Sequence, residues 1–186
     1  MKRFFALLIV FLLSVFVGHF FLLHSVPSFI MGKAMTSMET RGIELHKFTL
    51  VPRSTPQTQS VVRPSPDLAY SICLYDFSEG GVIEISAAPY DDYASVSFFD
   101  ARTNNFATVR VGVDADKQPD KSMGETIRLY APGELIAKLP VDWELDLESP
   151  TDRGIILIRR LAPTLQAYEK VAEISREDRC QFEKSK

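Results

Sequence analysis

Histidine is missing where catalysis would need it. The chain has three, His19, His24 and His46, and all precede the stretch that reads as a folded domain. Histidine is the commonest general base near neutral pH. Its absence argues against a Ser-His-Asp or Cys-His hydrolase and against a histidine-ligated metal. Cysteine is almost absent too, with Cys73 and Cys180 alone. A zinc site takes three or four protein ligands, so this pair is not read as a metal site. In an oxidising compartment the two allow one disulfide, which the sequence permits without requiring. No G-x-S-x-G elbow, phosphate-binding glycine loop or dinucleotide fingerprint occurs. Charge of one sign is never massed: the formal net charge is −3 with signs mixed. Without a basic stripe or a charged tail, a nucleic-acid partner is not expected. Carboxylate, tyrosine and arginine chemistry stay open, and no metal or cofactor is expected.

A long apolar run is present. Residues 1–3 form a short basic start, and residues 4–24 read as a transmembrane signal anchor. From Phe4 to Leu23 no charged residue occurs, and about 20 such residues as a helix cross a hydrocarbon core of about 30 Å. Secretory signal peptides have shorter apolar regions, of about 7–15 residues. Val26-Pro27-Ser28 and Gly32-Lys33-Ala34 make poor cleavage sites, so an uncleaved anchor is expected. Lys2 and Arg3 before the run face Lys33 and Arg41 after it, a slight bias toward a cytoplasmic N-terminus. The expected place is the bacterial inner membrane, single-pass, with the C-terminal domain periplasmic. His19 lies one turn from the end of the run and reads as a snorkelling side chain rather than a site.

Beyond the run, residues 25–59 read as a juxtamembrane linker, within which Pro27 to Arg41 is a short linker or an amphipathic helix next to the membrane; residues 60–180 read as a β-rich domain and 181–186 as a tail. Phe29, Met31, Met35 and Met38 are loosely spaced for one helical face, suited to a membrane interface. Arg53 to Pro66 is rich in Pro, Ser, Thr and Gln and reads as an extended crossing segment. Strands are expected over Ala69–Phe77, Val82–Ser86, Tyr93–Asp100, Phe106–Val113, Thr126–Tyr130, Trp143–Leu147 and Gly154–Leu161, the last apolar and β-branched as a central strand should be. Leu165, Tyr168, Val171 and Ile174 recur at helical spacing, with Pro163 and Thr164 as start signals. The fold class is therefore mainly β: an N-terminal transmembrane helix, an antiparallel β-sandwich-like domain and a C-terminal helix.

Three polar clusters flank these strands. The first is Arg63-Pro64-Ser65-Pro66-Asp67, leading into Tyr70-Ser71. The second is Asp100-Ala101-Arg102-Thr103-Asn104-Asn105-Phe106. The third is Ser149-Pro150-Thr151-Asp152-Arg153, with Arg159 and Arg160 at the far end of the following strand. The stretches Pro66 to Ser71, Tyr75 to Ser78, Tyr93 to Phe106, and Ser149 through Arg159 stand in the order and spacing of the bacterial domain of unknown function 1254, which the chain resembles over roughly residues 60 to 175. The resemblance implies an antiparallel sandwich-like fold. It implies a partner as well, because longer relatives continue into a second domain, the domain of unknown function 1214, where this chain ends. A separate protein carrying that domain is the candidate for a hetero-oligomer. No reaction or cofactor comes with the resemblance. The chain departs from the family pattern at Val109 to Asp116, where a glycine-rich stretch is usual, and at Ile155, where an aromatic is.

Two functional readings follow. The leading one is a non-catalytic, membrane-anchored subunit whose strand edge or apolar sheet face docks a partner. The alternative is a domain that binds or transforms a small anionic or carboxylate ligand through Asp67, Asp100 and Arg159, because arginine forks pair with carboxylates and an aspartate orients a hydroxyl. Arg63, Tyr70 and Asn105 complete the candidate ligand set. The plainer reading of the same residues is a buried network tying strand ends together, with Asn104-Asn105 a turn and the tyrosines core.

Overall fold

The computed structural model describes residues 2–54, 64–111, 126–135 and 145–184. One helix, α1 (Lys2–Thr40), runs through the apolar segment and well past it, carrying Pro27 inside it. It is long and apolar enough to cross a membrane. Among the described residues nine strands follow: β1 (Thr49–Leu50), β2 (Leu68–Asp76), β3 (Val82–Ser86), β4 (Ala94–Asp100), β5 (Asn105–Arg110), β6 (Ile127–Tyr130), β7 (Asp146–Glu148), β8 (Arg153–Leu161) and β9 (Arg179–Glu183), with helix α2 (Leu165–Ile174) between β8 and β9. The expected fold class holds: mainly β, with a long N-terminal helix and a short helix near the C-terminus, ahead of the last strand.

Two sheets stack face to face. One has the order β1-β2-β8-β4-β5 and is antiparallel throughout; the other has the order β7-β6-β3-β9, with β6 and β7 parallel. The alternation of each strand decides which side chains meet. Tyr75, Val96, Phe98, Ile156 and Ile158 from the first sheet pack against Ile83, Ile85, Ile127 and Leu129 from the second. Strand β8 sits at the centre of its sheet, between β2 and β4, as its apolar, β-branched sequence suggests. Helix α2 begins where Thr164 accepts a hydrogen bond from the Ala167 amide at 3.1 Å, a side-chain N-cap. It lays Ala167, Tyr168, Val171 and Ile174 on the core.

Three features depart from the sequence pattern. The apolar helix does not give way to a linker at residue 25 but runs unbroken to Thr40, so the helical alternative for Pro27 to Arg41 is the one seen, as part of α1 itself. Met31 and Met35 do not face an interface: they are buried against Leu74 and Ile155 on the outer face of the first sheet, with Met38, Ile72 and Phe99 around them. Residues 179–183 form a strand paired with β3, where the sequence marks none. The extended crossing segment falls mostly outside the described residues, as do Trp143 and positions 112–113 at the end of the expected fourth strand.

Candidate functional site

The polar residues that the sequence singles out fall at two ends of the first sheet. Register sets the distance. Asp100 lies opposite Gly154, at the start of β8, whereas Arg159 lies opposite Tyr70 and Ser95, near its far end. Five positions along a strand separate the two, about 17 Å at 3.3–3.4 Å per residue. Asp67 precedes Leu68, which pairs with Leu161 at that same far end. The structure therefore does not gather Asp67, Asp100 and Arg159 into one pocket.

At the near end, Asp100 is held by its own loop. Its carboxylate accepts from the Arg102 amide at 2.8 Å, the Asn104 amide at 2.9 Å and Asn104 Nδ2 at 2.8 Å. Thr103 turns the loop with a φ of 67°. Thr151 Oγ1 accepts from the Ala101 amide at 2.9 Å, so the second and third polar clusters meet here. Tyr75 completes the group: its hydroxyl lies 2.9 Å from Ser149 Oγ and donates to the Phe99 carbonyl at 3.2 Å. Burial pushes the Tyr75 phenol up to about 12, against the pull of hydrogen bonds with Ser149 and Thr151. Gly154 makes room for that ring, since a Cβ there would strike the Phe99 carbonyl and the tyrosine. Ser149 is fully buried. The cluster can fix strand ends; it offers no accessible nucleophile.

At the far end, Arg159 lies on the outer face and donates from Nη2 to Ser97 Oγ at 2.8 Å. Ser97 lies 3.1 Å from Thr108 Oγ1, which also accepts from Asn105 Nδ2 at 3.1 Å. This series of hydrogen bonds links Arg159 to Asn105 through Ser97 and Thr108, while Asn105 itself pairs with Phe99 toward the near end. Tyr70 neighbours Arg159 across the strands, and its hydroxyl accepts from the Ser65 amide at 2.8 Å. Asp67 is exposed and engages the fold through its backbone, with its carbonyl accepting from Ala162 N at 2.7 Å. Arg63 lies outside the described residues.

The most buried charges were not in the candidate set. Arg160 alternates with Arg159 and so points inward, where its guanidinium grips Asp178 at 2.6 and 2.8 Å and donates to the Ala88 carbonyl at 3.1 Å. Beside it, Cys73 of β2 and Cys180 of β9 are joined by a disulfide, their Cα atoms 6.6 Å apart. Two inter-sheet links thus converge on β9. The signal for Arg160 is parity: Ile156, Ile158 and Arg160 share one face, and an arginine at a core position demands a buried acid. Tyr75 and Ser149 lie inside the motifs that carry the family resemblance, without being singled out. Among the described residues, no group of three or more His, Cys, Asp or Glu could hold a metal ion.

These features define a β-sandwich domain bonded across its two sheets and joined to a long apolar N-terminal helix. The chain belongs to the family described as Protein of unknown function (DUF1254), whose profile matches residues 45–181. None of the curated proteins compared with it matches. Among solved structures, the VPA0106 protein from Vibrio parahaemolyticus superposes with a TM-score of 0.55 at 10% identity, over 84% of this chain and 35% of that one. An uncharacterized protein from Burkholderia cenocepacia gives a TM-score of 0.44 at 14% identity, over 77% of this chain and 36% of that one. The first likeness shows a shared fold; the second is too distant to add to it. This chain spans little more than a third of either solved protein.

Proposed function

We propose that the chain is a single-pass, membrane-anchored envelope domain acting as a non-catalytic subunit. The observation that carries this reading is the double character of α1. Its first turns are apolar and exposed, fit for lipid, whereas Met31 and Met35 near its other end are 5% and 4% exposed against the sandwich. A helix whose last turns complete the domain's outer layer is a poor candidate for removal as a signal peptide. The Cys73–Cys180 disulfide supports an oxidising compartment, hence a periplasmic domain at the bacterial inner membrane. The partner we propose is a separate protein carrying the domain of unknown function 1214, on the strength of the family resemblance. Strands β5 and β9, last in their sheets among the described residues, offer edges for such docking.

A small-molecule site built on Asp67, Asp100 and Arg159 has less support, because the register parts them. The test is to purify the tagged full-length chain from its own membranes in mild detergent. The expected result is an intact N-terminus, resistance to carbonate extraction and a stoichiometric companion carrying the second domain. A cleaved chain, or a monodisperse monomer that arrives alone, overturns the reading.

A further inference from the structure

Helix α1 changes character within a single turn. From Phe4 to Gly32 no Asp, Glu, Lys or Arg occurs, and Lys33 is the first charge after the run. Before that turn, large apolar residues lie on all sides of the helix and are exposed, the pattern of a membrane span. After it the helix is two-faced. Met31, Met35 and Met38, at i, i+4 and i+7, are seated on Ile72, Leu74, Ile155 and Phe99 of the first sheet, whereas Thr36, Ser37 and Thr40 are exposed. Met31 is buried against the sandwich and still lies inside the charge-free run.

Length indicates where the membrane ends. As helix, the charge-free run measures about 43 Å. A hydrocarbon core is about 30 Å thick, and a bilayer with both headgroup layers about 40–45 Å. A core filled by residues 4–23 leaves residues 24–32, about 13 Å of helix, on its outer side. That stretch mixes His24, Ser25, Pro27 and Ser28 with Val26, Phe29 and Ile30, a composition suited to an interfacial layer. Val26, Phe29, Ile30 and Lys33 recur at i, i+3, i+4 and i+7 and share one side, turned away from the three methionines. The first three of them are exposed. Lys33 Nζ lies 5.8 Å from the centroid of the Phe29 ring, an ammonium at the end of an apolar stem, as at a lipid boundary. A tilt within the ordinary range of about 0–40° keeps the whole run inside the bilayer.

We propose that the outer headgroup layer of the membrane reaches along α1 as far as Gly32. Val26, Phe29 and Ile30 face lipid on one side of the helix, while Met31 is seated on the sandwich on the other. No stalk of helix in water separates the span from the domain, so the sandwich rests on the bilayer surface. This position rests on the anchor reading and adds a depth to it: the membrane boundary lies about two turns of helix beyond residue 24, where the sequence pattern alone ends the anchor.

The test uses the full-length chain in lipid nanodiscs, with a fluorophore on one introduced cysteine at a time: Val17→Cys, Ile30→Cys or Ser37→Cys. All three positions are exposed, and the native cysteines are buried and bonded to each other. Ser37 lies about two turns beyond Ile30 on the same side of the helix. Quenching by a nitroxide carried on the lipid is compared with quenching by aqueous iodide. The expected result is lipid quenching at Val17 and Ile30, with iodide quenching roughly threefold weaker at Ile30 than at Ser37. Should the label at Ile30 disturb the fold, as judged by circular dichroism, Phe29→Cys reads the same side. An Ile30 label that iodide reaches as freely as at Ser37, without lipid quenching, overturns the proposal and shows a stalk in water. Shielding of Ile30 from both quenchers overturns it too, and indicates a protein surface, such as a second copy of the chain, on this side of α1. A Val17 label that lipid does not quench overturns the anchor reading and this one with it; lipid quenching at Val17 without any at Ile30 overturns this one alone.

Discussion

The guanidinium of Arg160 and the carboxylate of Asp178 form a two-pronged pair at 2.8 and 2.6 Å with side chains only 1% and 0% exposed. Asp178 Oδ1 also accepts from the Ala88 amide at 2.9 Å, so one carboxylate joins β8, the chain after β3 and the start of β9. Breaking such a pair strands a buried charge, and Asp178→Asn is expected to cost about 3–5 kcal/mol. The double change Arg160→Met with Asp178→Leu should recover much of that loss. Urea midpoints of the three proteins, followed by circular dichroism in detergent, decide it.

Gly154 is a second point of low tolerance. Its neighbours are the Phe99 carbonyl and the Tyr75 ring, and neither is a flexible side-chain tip. Gly154→Ala is expected to lower stability by about 1–3 kcal/mol through overpacking. Tyr75→Phe in the same background should recover little, because the backbone carbonyl still collides. Thermal unfolding of the single and double variants measures this.

The disulfide closes a loop with a sequence separation of 107. Cys73→Ser with Cys180→Ser is expected to cost about 2–5 kcal/mol, and the wild-type chain should shift by a similar amount under strong reductant. Unfolding curves with and without reductant would show no difference if the bridge carried no stability.

His46 sets a pH dependence. Its backbone holds a φ of 56°, its ring stacks on Phe182 at 4.8 Å between centroids, and its Nε2 accepts from the Asp76 amide at 3.1 Å. Burial holds its pKa below the ordinary value of 6.5, against the upward pull of the Asp76 carbonyl and charge. Above about 6.5 the imidazole is neutral folded and unfolded, and the stability is complete. As pH falls below that, the unfolded chain takes the proton first, so stability drops until the pH passes the folded value. His46→Asn, which tolerates the left-handed backbone, should flatten this step, as read by unfolding free energy against pH.

Met35→Asp tests the seat of α1 on the sheet. It places a charge against Leu74 and Ile155 and should free the last turns of the helix while leaving the sandwich folded. Faster amide hydrogen exchange over residues 31–40, with unchanged exchange in β8, is the expected pattern.

Much of the sandwich was legible because its strands alternate cleanly. β3 lies where the pattern puts it, and β8 reads as central from its composition. What escaped has identifiable causes. Strand β9 holds only Cys180 and Phe182 as apolar residues among charges, a weak signal typical of an edge. The stretch after Leu23 left a linker or a helix open, and α1 continues through Pro27, its later turns held by burial of Met31 and Met35 that only the tertiary fold reveals. Asp100 looked like a ligand residue, but its bonds are to the loop that follows it, a local competition that sequence spacing does not distinguish from a site. Arg160 was passed over for Arg159 although strand parity separates them, one inward and paired with Asp178, the other outward and bonded to Ser97.

As the membrane anchor proposed above, the continuous α1 would act as a lever. A helix of 39 residues is about 58 Å long, and its last turns are seated on the sandwich rather than tethered by a loose hinge. A bilayer that thins or thickens changes the tilt of a spanning helix, and a rigidly seated domain must swing with it. On the anchored reading proposed above, the attitude at which the sandwich meets any neighbour is set by the thickness of the membrane as well as by its own surface.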